Sequence, residues 1–195
     1  MADFERRAMC RDEKFTTRAE DGNLYIEGYF AVFGYEYRIW EHGVETIDRG
    51  AFDGALNDDI RALTNHDTTL VLGRTTAGTL SLIVDDRGLY GVITVNQADQ
   101  DAVNLYERVK RGDVSQCSFG FDILDQSIEE RADGTTLFTV KRVKLYEVSV
   151  CTFPAYEETE VKARMADAAN AKEQKLNAWR DKVYKKLKGD QANGT

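Results

Sequence analysis

The 195-residue chain contains little cysteine, histidine or proline, and it has no long hydrophobic run. Its three cysteines (Cys10, Cys117 and Cys151) are too few for the disulfide framework of a small secreted domain, and no cysteine–histidine cluster has zinc-ligand spacing. No apolar stretch approaches the roughly 20 residues that a membrane span needs, and the N-terminus lacks the apolar core of a secretory signal. The sequence therefore predicts a soluble intracellular protein with no membrane contact, metal or cofactor.

Charge is unevenly distributed along the chain. The whole sequence has 26 basic and 34 acidic side chains, a net charge of −8. Residues 1–159 hold 17 basic and 29 acidic side chains, whereas residues 160–195 hold 9 and 5, so the two parts carry −12 and +4. An acidic body argues against sequence-independent binding to nucleic acid, which needs a basic surface. The basic tail is either a solvated helix or a contact for nucleic acid or an acidic partner.

The body of the chain is predicted to consist mainly of short strands. Residues 24–34 combine aromatic and β-branched side chains with a closing glycine, and residues 78–96 alternate on both sides of an Asp-Asp-Arg-Gly turn, which is typical of a hairpin. Further strands are predicted at 69–75, 114–125 and 136–153, a short helix or turn at 50–56, and a helix over 99–110 that Gly112 ends. This pattern predicts an α+β fold, a mostly antiparallel β-barrel or sandwich flanked by helices.

Three segments are expected along the chain. An N-terminal arm (residues 1–22) is charged and loosely held to about Arg18, a main domain covers residues 23–159, and a basic helical tail covers residues 160–195. The tail has four apolar residues at helical spacing: Leu176, Trp179, Val183 and Leu187. The last residues, 189–195, are predicted to be disordered.

A reaction that depends on histidine has only two candidates. His66 lies in the polar segment LTNHDTT between two apolar stretches, where an imidazole could face a groove, and His42 lies in WEHGVE, as in an exposed loop. Each also fits an ordinary structural or surface histidine.

The segment RGDVSQCSFGFDI contains a candidate nucleophile. Ser118 is followed two residues later by Gly120, which shares its strand face and leaves room for a substrate. A serine hydrogen-bonded inside the sheet beside a glycine bulge is the alternative. Cys117 is a rival nucleophile, but strand alternation turns it to the opposite face, which favours a core position.

Two charged residues stand out in otherwise apolar strands. Glu147 interrupts LYEVSVCTF, and a buried carboxylate there must be paired, for which an imidazole is a suitable partner. The alternative is an edge glutamate that faces water or pairs with Lys144 or Arg142.

Arg74, in LGRT, could support a site or bind a substrate carbonyl, or it could form a surface ion pair.

Taken together, these segments resemble the prohead proteases of tailed bacteriophages, which are related in fold to herpesvirus assemblins. The resemblance runs from about Gly28 to Tyr156. The segments that carry it are GYFAVFG, DRGAF, NHD, LGRT, GTLSL, DDRGLY, VKRGDVSQCSFGF and LYEVSVCTFPAY. Each is weak alone, whereas their order and spacing together are specific.

The resemblance implies an assemblin-like β-barrel with helices around it and a serine endopeptidase activity. The family's histidine falls on His66, its nucleophile on Ser118, and the third member on Glu147. Assemblins have a second histidine in that third role. Backbone amides at Ala155 and Tyr156 correspond to the oxyanion-binding loop, although the arginines that assemblins carry there are absent.

The resemblance also implies partners and a place of action. The substrates would be the scaffold protein or the precursor of the major capsid protein, and the protease itself, inside the procapsid assembling in the host cytoplasm. A homodimer follows only by analogy with assemblins. The tail after Tyr156 fits either a removable segment or a tether to the scaffold.

Two other functions remain open at the level of the sequence. One is a non-enzymatic assembly or scaffold-binding module on the same fold. The other is a thiol-dependent hydrolase that uses Cys117 or Cys151.

Overall fold

The computed structural model describes residues 5–7, 14–153 and 158–192. The chain divides into two compact units, residues 1–156 and residues 157–195. The first unit contains the eleven strands and one α-helix of the described residues, and the second contains a single long helix.

The strands are short in the first half of the chain and long in the second. Their bounds are β1 (Glu5–Arg7), β2 (Thr16–Glu20), β3 (Asn23–Val32), β4 (Tyr37–Trp40), β5 (Gly43–Ile47), β6 (Arg61–Thr64), β7 (Asp67–Arg74), β8 (Leu80–Val84), β9 (Gly88–Val95), β10 (Gln116–Glu130) and β11 (Thr136–Cys151). Helix α1 spans Gln100–Arg111, and single 3₁₀ turns occur at Ala55–Asn57 and Thr75–Ala77.

The described strands form two sheets. Four antiparallel strands make one sheet, in the order β2-β3-β9-β8. The other has seven strands and is organised by β11, which pairs antiparallel with β10 along one edge. Along its other edge β11 pairs in parallel with β5 through Thr136–Val140 and with β6 through Glu147–Val150.

The predicted α+β class is confirmed, but the predicted barrel is wrong. The two sheets stay separate and neither closes on itself. The larger sheet branches at β11, because one edge of this strand is shared between β5 and β6. The branched sheet does not close into a barrel.

The core lies on one face of the β10–β11 ladder. The rings of Phe119 and Phe121 stack with centroids 4.7 Å apart, and Phe52 meets Phe119 edge-on at 5.8 Å. Ser118 and Gly120 alternate with these rings along β10. The ladder therefore has an aromatic face and, behind it, a face with small and polar residues.

The elements with strong local signals are confirmed. The 78–96 hairpin is β8–β9, and Asp85 Oδ1 accepts hydrogen bonds from the backbone N–H groups of Arg87 and Gly88 in its turn. Helix α1 begins after Asp99, whose carboxylate caps its first turn, and ends at Gly112 in the left-handed region, at φ 86°.

Several short elements were not predicted. Strands β4, β5 and β6 have only four or five residues each, too few for an alternating pattern to stand out. The expectation that the chain is loosely held to about Arg18 is wrong for its last part, because Phe15 is buried and Thr16–Glu20 pairs with β3.

The second unit is helix α2 (Glu158–Ala192). A helical tail is confirmed, but the helix continues past Gly189, where disorder was predicted; residues 193–195 lie outside the described part. Leu176 and Trp179 are exposed. In the described residues, no helix is both long and apolar enough to cross a membrane.

Candidate active site

His66 lies in a two-residue hairpin turn between β6 and β7. Thr64 and Asp67 are paired, so Asn65 and His66 form the whole connection. Both have positive φ, 51° and 60°, as a type I′ turn requires. Asn and His tolerate this region better than most residues, so the pair Asn-His suits the tightest turn between two antiparallel strands.

The turn is bound to the end of β11. The backbone N–H of Asn65 donates to the Val150 carbonyl at 3.1 Å, and the Asn65 side-chain oxygen accepts from the Thr152 N–H at 2.9 Å. These bonds fix the position of His66 relative to β11, the strand that carries Glu147.

We expect Asn65→Ala to lower the free energy of unfolding by about 2 kcal/mol, because alanine disfavours positive φ and loses the bond to Thr152. Asn65→Asp keeps the acceptor and the tolerance of positive φ, and it serves as the matched control. Urea denaturation measures both. Equal stability of Asn65→Ala and the wild-type protein would contradict this account of the turn.

The imidazole of His66 meets a buried carboxylate. His66 Nδ1 lies 2.6 Å from Glu147 Oε1, and their side chains are only 8% and 3% exposed. Ser149, fully buried, donates a hydrogen bond to Glu147 Oε2 at 2.6 Å. Glu147 is thus not at a sheet edge, because β11 is paired on both sides of it, with Gly120 of β10 and Arg61 of β6. Its carboxylate oxygens bind His66 and Ser149 and not Lys144 or Arg142.

The second ring nitrogen of His66 has a different environment. Nε2 is buried and has no hydrogen-bond partner among the described residues. Because the Glu147 carboxylate accepts only, the hydrogen of a neutral imidazole belongs on Nδ1, and Nε2 carries the lone pair. This atom can take a proton from a hydroxyl brought against it.

Ser118 lies one strand away from this cluster. It is paired directly with Ser149 across the β10–β11 ladder, and Gly120 is paired with Glu147. Side chains of directly paired residues share a face, with Cβ atoms roughly 5 Å apart. Ser118 is fully buried and is not hydrogen-bonded to Nε2 in this structure.

The other predicted residues lie elsewhere. Arg74 is paired with Arg61 at the end of the β6–β7 hairpin opposite the His66 turn, and its guanidinium binds the Asp59 carboxylate at 2.7 and 2.5 Å. This ion pair and a bond from Thr76 hold the pKa of Asp59 well below its usual range. His42 is exposed, and Ala155 and Tyr156 lie outside the described residues.

The cysteines are poorly placed to act as nucleophiles. Cys117 is disulfide-bonded in the structure, which the sequence did not predict. Cys151 is a buried free thiol, and burial, together with the nearby Glu147 carboxylate, raises its pKa to about 12. A thiol with this pKa is almost entirely neutral at physiological pH and is a weak nucleophile.

Comparison with known proteins identifies the family. The family model described as caudovirus prohead serine protease matches residues 13–174. The chain belongs to this family. It is also 29% identical over 154 residues to the prohead protease of Enterobacteria phage HK97, an alignment that covers 77% of this chain and 63% of the relative. No solved structure matches the chain significantly.

Membership of the prohead serine protease family confirms the resemblance predicted from the sequence. The chain spans somewhat less than two thirds of the HK97 relative. The assemblin-like fold stays a prediction, since no solved structure matches the chain.

Sequence reasoning missed the part that Ser149 plays in this cluster. The signal that could have found it is the alternation itself, which places two polar residues in succession on one face of an otherwise apolar strand.

Proposed function

We propose that this prohead-protease family member is a serine endopeptidase that cleaves the scaffold or capsid-precursor protein during prohead maturation, with Ser118 as nucleophile, His66 as base and Glu147 as the orienting acid. One observation carries the proposal. Glu147 binds Nδ1 of His66 at 2.6 Å and leaves the buried Nε2 unpartnered, in a cluster whose Ser149 is paired with Ser118.

The reaction follows the logic of acyl transfer. Ser118 Oγ attacks the scissile carbonyl carbon while its proton passes to Nε2 of His66. The tetrahedral intermediate collapses as the C–N bond breaks, and Nε2 returns the proton to the departing amine. Water then hydrolyses the acyl-serine ester by the same route, with His66 again acting as base.

Glu147 acts through His66 alone. Its negative charge stabilises the imidazolium that forms in each half-reaction, in a region where an unpaired buried cation is costly. The carboxylate has no need to take the proton. Ser118 has no exposed surface in this structure, so the proposal also requires that its hydroxyl be uncovered before a peptide reaches it.

Oxyanion stabilisation is assigned on the family resemblance. The backbone N–H groups of Ala155 and Tyr156 follow β11, the strand that carries Glu147, and they are proposed as the donors to the developing oxyanion. Arg74 is a weaker candidate for substrate binding, because Asp59 already binds its guanidinium at the far end of the hairpin from His66.

The substrate and location are proposed from the family and from the relative's name, prohead protease. The partners are the scaffold or the major capsid protein precursor, the enzyme itself is a further substrate, and the site of action is the procapsid assembling in the host cytoplasm. A homodimer is proposed by analogy with assemblins.

A thiol-dependent mechanism predicts a different response to alkylation. We expect iodoacetamide at pH 7.5 to leave the activity of the folded protein unchanged, because a thiol of pKa about 12 is protonated there and Cys151 is buried. Mass spectrometry of the same samples counts the modified cysteines, and denatured protein is the positive control. Loss of activity in step with alkylation would support the thiol mechanism.

The experiment that tests the proposal is an intact-mass time course. Purified wild-type protein and His66→Asn are each incubated alone and with assembled capsid-precursor shells. Asparagine tolerates the positive φ of this turn, so the variant removes the base while keeping the backbone.

The proposal predicts that the wild-type protein produces discrete fragments of the precursor or of itself and that His66→Asn produces none. Intact precursor in both samples would favour the alternative, a non-enzymatic assembly module on the same fold. Equal cleavage in both would show that another group is the base.

A further inference from the structure

The hydroxyl of Ser149 contacts the Glu147 carboxylate, the imidazole of His66 and the backbone of His66. It donates to Glu147 Oε2 at 2.6 Å, accepts the backbone N–H of His66 at 3.2 Å and lies 3.3 Å from His66 Nδ1. We propose that Ser149 is a positioning residue that holds the Glu147 carboxylate against Nδ1 of His66 and thereby keeps the hydrogen of the ring on Nδ1. This inference rests on the proposed function, because that tautomer matters only if Nε2 is the base.

The hydrogens available around Nδ1 decide the tautomer. A serine hydroxyl has one hydrogen, and here it is directed to Glu147 Oε2. Toward Nδ1, Ser149 therefore presents only lone pairs, as does Glu147 Oε1. With two acceptors and no donor beside it, Nδ1 carries the hydrogen. The lone pair needed for catalysis is thereby left on Nε2.

Ser149 also binds the backbone of the His66 turn. His66 has a φ of 60°, which is uncommon for a residue with a Cβ, and contacts with β11 help to hold the turn in this conformation. Its N–H donates to the side chain of Ser149, two residues beyond Glu147 on β11. One strand therefore fixes both the ring and the carboxylate that orients it, where a displacement of about 1 Å can cost about 100-fold in rate.

The kinetic test compares Ser149→Ala with Ser149→Thr. We expect Ser149→Ala to lower kcat by about 10- to 100-fold with little change in KM, since the residue acts through His66 and does not touch the substrate. Ser149→Thr keeps a hydroxyl and should recover most of kcat. Ser127→Ala, at a half-buried serine paired with Thr139 in the same ladder, is the control and should leave kcat unchanged.

The second readout is the ¹⁵N spectrum of the imidazoles, which reports which ring nitrogen carries hydrogen. The chain has only two histidines, and His42→Gln assigns the spectrum. In a Ser118→Ala background, which prevents cleavage, we expect His66 to be a single tautomer protonated on Nδ1. Adding Ser149→Ala releases Glu147 Oε2, so the carboxylate can turn away from Nδ1, and the spectrum should then show a mixture of tautomers.

Three results would overturn the inference: an unchanged kcat in Ser149→Ala, an unchanged ring spectrum in that variant, or a loss of kcat that Ser149→Thr shares in full despite normal folding. A reduced kcat with an unchanged spectrum would assign Ser149 a purely structural role. Failure of the proposed function is separate, because it appears as undiminished cleavage by Ser118→Ala itself.

Discussion

Replacing Ser118 with alanine should abolish cleavage of the capsid precursor, with a loss of at least about 10,000-fold in kcat. In the proposed reaction the Ser118 hydroxyl oxygen forms the bond to the substrate carbonyl, and the Ser149 hydroxyl does not replace it, because Ser149 donates to Glu147 beside Nδ1 of His66. Initial rates of fragment release from precursor shells measure the effect. Ser115→Ala, at a half-buried serine three residues earlier, is the control.

A second variant keeps this prediction decisive if the alanine protein folds poorly. Ser118→Cys introduces a thiol at the position of the proposed nucleophile, while Cys151 is held neutral by burial and Cys117 is disulfide-bonded. We expect the introduced thiol to be alkylated more readily than Cys151 in the folded protein, because the proposed reaction requires that position 118 be uncovered and that His66 take the proton of the side chain there. Wild-type rates from Ser118→Ala, with a normal thermal melting curve, would place the nucleophile elsewhere.

Glu147→Gln should have the second largest effect, a loss of about 10,000-fold in kcat. The carboxamide has nearly the same shape, but it is neutral and can donate to Nδ1. In that arrangement the hydrogen of the imidazole moves to Nε2, and His66 can no longer accept a proton from Ser118. The loss should be in kcat, with KM little changed.

The control for Glu147→Gln is Glu45→Gln. Glu45 is also a fully buried glutamate in the seven-stranded sheet, but it is paired with Phe138, nine residues before Glu147 on β11. Nine strand residues span roughly 30 Å. Similar losses of activity in the two variants, or a loss under about tenfold in Glu147→Gln, would mean that Glu147 only stabilises the fold.

Local signals predicted the local structure well. Asp99 and Gly112 bound helix α1 through capping and a left-handed turn that involve only neighbouring residues. The Asp85 turn of the β8–β9 hairpin is equally local. The prediction of a barrel was wrong because barrel closure depends on which distant strands pair. No local sequence pattern indicates that β5 and β6 share one edge of β11.

In the candidate site, too, the sequence predicted individual residues but not the contacts between distant strands. Family motifs together with residue chemistry predict Ser118, His66 and Glu147, and parallel pairing of β6 with β11 brings His66 to Glu147 across 81 residues of sequence. The left-handed turn at His66 follows from pairing of Thr64 with Asp67, which the sequence analysis did not predict. The role of Ser149 depends on three contacts, two with His66 and one with Glu147, that a single sequence does not reveal.

The central claim is that Ser118 is a nucleophile activated by His66. It is tested most directly by labelling with a serine-directed phosphonate, followed by peptide mapping by mass spectrometry. The account predicts one label per chain, on Ser118, in protein that is cleaving its substrate, and no label in His66→Asn. A label on another residue, or active protein that takes up none, would contradict it.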